Sequence, residues 1–113
     1  SREFLFHIEN KKLSQIPNLA FNGMSIFYII LKNNQIEFVE ENAFKNVFNL
    51  MQLSLEMNKI KELNFWLVCD TVILSNNKID ILKNESFARM SRVSSLFVEK
   101  NDLTLIESDT FKH

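Results

Sequence analysis

One asparagine, with apolar residues at fixed distances around it, recurs along the chain and limits the possible folds more than any other feature. Around Asn34 the stretch 26–36 reads IFYIILKNNQI, with apolar side chains at Ile26, Ile29, Leu31 and Ile36. Asn58 carries Leu50, Leu53, Leu55 and Ile60 at the same offsets. Asn77 carries Cys69, Val72, Leu74 and Ile79, and Asn101 carries Val93, Leu96, Val98 and Leu103. A degenerate first copy has Phe6, Ile8 and Leu13, with Lys11 in the asparagine slot. Successive copies stand 23, 24, 19 and 24 residues apart. A unit of that length cannot bury its own apolar side, so neighbouring units must stack to make a continuous core.

Each unit reads locally as a short strand and a turn. Strand alternation sends Ile29 and Leu31 to one face, and Tyr28, Ile30 and Lys32 to the other. An asparagine among apolar side chains costs free energy unless it is hydrogen-bonded. Its two donors and one acceptor can bond the backbone in its own unit and in the next. A further apolar residue follows in every unit, at Ile16, Val39, Leu63, Leu82 and Ile106. Four of the five units then place a Phe at one fixed offset: Phe21, Phe44, Phe87 and Phe111. The full period, L-x-x-L-x-L-x-x-N-x-L-x-x-L-x-x-x-x-F-x-x-L-x-x, resembles the 24-residue "typical" class of leucine-rich repeat over essentially the whole chain. That resemblance implies an α/β repeat fold of about four to five repeats. The expected form is a curved solenoid, with a concave parallel β-sheet and loops and short helical turns on the convex side.

The 113 residues suffice for one domain, with repeats expected at 1–24, 25–48, 49–67, 68–91 and 92–113. The cysteine-rich caps of secreted members are missing, so the resemblance implies a piece of a longer array, or ends covered by something unusual. In the first repeat Lys11 cannot enter a dry asparagine ladder, which leaves that repeat open at its edge or lets Asn10 substitute. Residues 39–48 have helical apolar spacing and predict a turn or two of helix or 3₁₀ on the convex side. The third repeat is short: Leu63 to Val72 spans nine residues where Val39 to Leu53 spans fourteen. Phe65-Trp66-Leu67 replaces the deleted segment, and Trp66, as a large residue, is expected to fill the missing Phe position.

Little in the sequence points to chemistry. The net charge is −1 with no clustering of either sign, which argues against a nucleic-acid surface. The longest apolar run, 26–31, is far below the ~20 residues of a membrane helix. Cys69 occupies an apolar slot and reads as a small buried hydrophobe. His7 and His113 fall at opposite ends of the stack, the methionines are scattered, and no nucleotide, zinc or nucleophile motif occurs. Glu40-Glu41-Asn42 reads as a solvated face. Neither catalysis nor a cofactor nor a metal is therefore expected.

The informative surface is the outward face of the strands, where variable positions line up in columns. One column reads His7, Ile30, Ser54, Ile73, Phe97, the one before it Leu5, Tyr28, Gln52, Thr71, Ser95, and the one after it Glu9, Lys32, Glu56, Ser75, Glu99. Large apolar residues at Tyr28, Ile30, Ile73 and Phe97 predict an interaction site. Ser54 is expected to leave a hollow between Ile30 and Ile73, with Lys32, Glu56 and Glu99 as its polar rim. Asn84-Glu85-Ser86 is a glycosylation sequon. The Phe-bearing class is similar to Toll-like receptor ectodomains, insect cell-surface adhesion proteins and mosquito leucine-rich immune proteins. That resemblance implies an extracellular protein-recognition module in an innate-immune or surface receptor or adhesion protein. It implies a protein partner, neither nucleic acid nor membrane insertion in this segment, and leaves homo- and hetero-oligomers open. The competing expectation is an intracellular scaffold or adaptor, which the free Cys69 and absent disulfides fit equally well.

Overall fold

The computed structural model describes residues 2–107. In chain order its elements are β1 (Arg2–His7), β2 (Gln15–Ile16), β3 (Ser25–Ile30), β4 (Phe38–Val39), β5 (Gln52–Ser54), β6 (Thr71–Ile73), β7 (Ile81–Leu82), α1 (Asn84–Arg89), β8 (Ser95–Phe97) and β9 (Leu105–Ile106). Five strands, one per turn, form a parallel sheet in the order β1-β3-β5-β6-β8. On the opposite side two short parallel pairs form, β2 with β4 and β7 with β9. The chain is a parallel β-solenoid of about five turns with little helix, the architecture of a leucine-rich-repeat solenoid.

The register follows the repeat. Ile29 pairs with Leu53, Leu53 with Val72 and Val72 with Leu96. Ile26, Ile29, Leu31, Leu53, Leu55, Val72 and Leu74 are all buried between the main sheet and the outer segments. At that side of the core Phe21, Phe44 and Phe65 form a row. The rings of Phe6 and Phe21 are 5.0 Å apart, those of Phe21 and Phe44 5.9 Å, and those of Phe44 and Phe65 5.6 Å. Phe87 packs partly buried against the same core. Phe111 and His113 lie outside the described residues.

The asparagines run through the stack. The Asn58 amide donates to the carbonyls of Leu55 and Leu31, at 3.0 and 3.1 Å. Its oxygen accepts from the backbone N–H of Asn34 and Ile36, at 3.2 and 3.0 Å. Asn34 reaches Leu31 and Ile8 in the same way, Asn77 reaches Leu74 and Leu55, and Asn101 reaches Val98 and Leu74. Each side chain therefore satisfies carbonyls in two successive turns, where the chain leaves the strand and its own ladder stops. Lys11 stays exposed and contributes only its backbone N–H, donated to the Asn34 oxygen.

A second column flanks the ladder. Asn10, Asn33, Met57, Asn76 and Lys100, each just before a ladder position, have φ between +53° and +60°. The left-handed conformation lets the chain turn out of the strand. Asn adopts it at modest cost, while Met and Lys carry the full Cβ penalty.

Two expectations about the outer side are corrected. Residues 41–46 form turns, not helix, and the helix among the described residues is α1 in the fourth turn. Amphipathic spacing alone cannot make a helix when both ends of so short an arc are tied to strands and the turn below. Here Leu19 and Gly23 donate backbone bonds to the carbonyls of Asn42 and Asn46. In the short third turn Phe65, not Trp66, takes the Phe position: Phe65 is fully buried and Trp66 is 49% exposed. Backbone bonds from Trp66 N–H to the Glu41 carbonyl, and from Leu67 N–H to the Arg89 carbonyl, tie this segment to the turns on either side. Strand-like alternation then turns 63, 65, 67 and 69 inward and 64, 66 and 68 outward. Trp66 stacks under the Arg89 guanidinium, 5.1 Å from the ring centre. Arg89 also donates to the Asn64 carbonyl at 2.5 Å and pairs with Glu41 at 3.3 Å, so it braces the three turns around the deletion.

Candidate functional site

With one sheet face packed on the core, the other faces solvent, and the strand pairing sets its side chains in rows. His7, Ile30, Ser54, Ile73 and Phe97 stand side by side, as do Leu5, Tyr28, Gln52, Thr71 and Ser95. These are the columns that the repeat spacing implies. Tyr28, Ile30 and Ile73 are half-buried and Phe97 is exposed, while Ile29, Leu31 and Leu74, one position away, are buried. A one-residue slip in register would exchange the two sets.

Ser54 departs from the expected hollow: it is 3% exposed. Its one-carbon side chain sits between the much longer Ile30 and Ile73 of the adjacent strands, and the Gln52 amide donates to its hydroxyl at 3.0 Å. The depression is thereby closed, and Ser54 is a buried spacer, not a surface that a partner touches.

The polar row lies two residues further along each strand. Glu9 accepts from His7 at 2.9 Å and stands 3.9 Å from the Lys32 ammonium. The Ser75 hydroxyl donates to Glu99. Glu56 is half-buried, and its Oε1 is shielded from solvent without a hydrogen-bond partner.

Column reading missed one set of residues. Phe4, Phe27 and Met51 occupy the second position of the first three repeats, before the columns considered above. Phe4 is 65% and Met51 46% exposed. The Phe4 ring lies 5.7 Å from Phe27, edge to face, and 5.2 Å from Tyr28. The signal was available as a fourth outward position in each repeat, filled by Asp70 and Ser94 in the last two.

Asn84 is exposed at the start of α1, and its backbone N–H donates to Glu107. Ser86, the hydroxyl of the same sequon, is buried and donates to the Leu63 carbonyl at 2.5 Å. Cys69 is buried, its thiol donating to the Thr71 carbonyl at 3.3 Å, and burial pushes its pKa up to about 11. A thiol so placed is a poor nucleophile and says nothing of compartment. Among the described residues no group of three His, Cys, Asp or Glu side chains could hold a metal ion, and no helix is long and apolar enough to cross a membrane.

The chain matches no protein-family profile. Over 55 residues it is 40% identical to lumican of Gallus gallus, and equally to lumican of Coturnix japonica. The matched stretch is 49% of this chain and 15% of each lumican.

Proposed function

We propose that the chain is a single leucine-rich-repeat domain that recognises a protein partner without catalysis, through the solvent face of its main sheet. The observation that carries this reading is the apolar content of that face, where Tyr28, Ile30, Ile73 and Phe97 reach solvent. A free sheet face on a soluble repeat protein is usually polar, and contiguous apolar exposure marks a contact surface. Lys32, Glu56 and Glu99 would orient the partner from the rim.

The partial likeness to lumican, an extracellular leucine-rich-repeat protein, supports an extracellular location. The finer assignment, to an innate-immune or cell-surface receptor or adhesion protein, rests on the Phe-bearing repeat class. Asn84 is the proposed glycan site. Its sequon is wound into α1 with the Ser86 hydroxyl buried, so a glycan must be attached before this turn folds. Once attached to the exposed Asn84 it is compatible with the fold. Secretion from a glycosylating host should give a mass shift that glycosidase removes and that Asn84→Gln abolishes. Secretion without any shift would count against the extracellular assignment.

The recognition role is tested by panning phage-displayed random 12-residue peptides on the chain. Ile73→Asp and Phe97→Asp should abolish binding of the recovered peptides. Phe38→Asp, on the far side of the solenoid, should leave it unchanged. The reverse pattern would place recognition elsewhere.

A further inference from the structure

We infer that the partner segment is basic and apolar, with an aromatic or aliphatic side chain at one end of the sheet strands and a Lys or Arg at the other. This deepens, and rests on, the reading that the solvent face of the sheet binds protein. Two independent features of that face define the chemistry.

The first is the apolar shelf. Phe4 and Phe27 pack edge to face on the first two strands, Met51 follows just before the third with its N–H bonded to the Phe27 carbonyl, and Tyr28 leans against Phe4. Phe4 is the most exposed of the large apolar side chains among the described residues. The shelf ends at the fourth strand, where Asp70 takes the same position. Edge-to-face ring pairs such as Phe4 with Phe27 leave ring faces for a further aromatic or aliphatic group.

The second feature is the polar row at the other end of the same strands. It holds three carboxylates, Glu9, Glu56 and Glu99, against one cation, Lys32. Lys32 and His7 are both directed to Glu9, and Ser75 serves Glu99. Glu56 is half-buried, and its Oε1 has no protein donor. A partly exposed carboxylate with no donor from its own chain is satisfied best by a charged one. Lys or Arg on a partner supplies both the proton and the complementary charge. Met51 and Glu56 are five residues apart on one repeat, about 16 Å at strand rise. An extended partner would therefore set its apolar and basic side chains about five residues apart.

The test uses the same peptide panning at low ionic strength, with sequences read from the wild-type chain and from folded variants checked by thermal melting. The wild type should enrich peptides that pair an aromatic or aliphatic residue with Lys or Arg about five positions away, and raising the salt should weaken them. Glu56→Lys should weaken a recovered peptide at least about tenfold and shift the selection away from basic residues. Phe4→Ser with Met51→Ser should remove the apolar preference and keep the basic one. Enrichment of acidic or uncharged peptides, no enrichment at all, or Glu56→Lys without effect would overturn the inference. So would a wild-type dimer in sedimentation that Phe4→Ser dissociates, because a second copy would then cover the shelf. If Ile73→Asp abolishes binding while Glu56→Lys and Phe4→Ser do not, the sheet face stands as the binding surface and only its partner chemistry falls. If Phe38→Asp alone abolishes binding, both fall.

Discussion

Replacing Asn58 by leucine removes the central rung of the ladder while keeping the branching and the number of side-chain heavy atoms. The backbone N–H groups of Asn34 and Ile36 then lose their acceptor, and both residues are buried. The carbonyls lose less, because Leu31 keeps a bond from Asn34 and Leu55 keeps one from Asn77. Each orphaned buried amide costs about 1–3 kcal/mol, and the added apolar burial of leucine offsets about 1–2 kcal/mol. For the two amides together the expected net loss centres on about 2–3 kcal/mol, or a fall in Tm on the order of 10 °C for a chain of this size. At Asn101 the oxygen accepts from the Ile79 N–H, and the residue is half-buried. Asn101→Leu should therefore cost only about half as much. Urea denaturation followed by far-ultraviolet circular dichroism measures both, with the m-value checked for loss of cooperativity, since repeat arrays can unfold in parts. The reasoning fails if Asn58→Leu costs no more than Asn101→Leu, or less than about 0.5 kcal/mol at an unchanged m-value.

Three further outcomes follow from the same structure. Phe65→Ala should destabilise by about 3–5 kcal/mol and Trp66→Ala by about 1 kcal/mol or less, since one empties the core and the other removes a surface stack; equal losses in denaturant titrations would return Trp66 to the core. Met57→Asn should stabilise by roughly 1 kcal/mol or less, by relieving a Cβ penalty at φ +60° that Asn33 and Asn76 avoid; a lower Tm would show that Met57 contributes packing that the geometry conceals. Cys69 should resist alkylation at pH 8 in the folded chain and react in urea. Because burial raises its pKa from 9.0 to about 11, the folded state holds the proton more tightly in that interval. The Cys69 contribution to stability should be full below pH 9 and fall as the pH climbs toward 11. A Cys69→Ala chain would lack that component of the alkaline loss, and an identical pH profile for the two chains would refute it.

The strand register, the ladder and the inner apolar positions were legible in the sequence because each repeat reports the same local pattern again. Asn34, Asn58, Asn77 and Asn101 need only one physical rule: a buried amide must find backbone partners, and the repeat spacing says where they are. The positive-φ column was half legible, since Asn10, Asn33 and Asn76 favour that conformation and Met57 and Lys100 do not. The tertiary structure decided what depends on the size of neighbours brought together from different turns. Ser54 is closed over because Ile30 and Ile73 stand on either side of it, two contacts that its own repeat does not contain. Phe65 fills the short turn while Trp66 goes outward, because the Glu41 and Arg89 carbonyls fix the backbone phase of that segment. The joining of Phe4, Phe27 and Met51 into one shelf, with Glu56 left unpartnered beyond it, has the same origin. Periodicity determines which face a side chain takes, but the company it keeps there is set only when the turns stack.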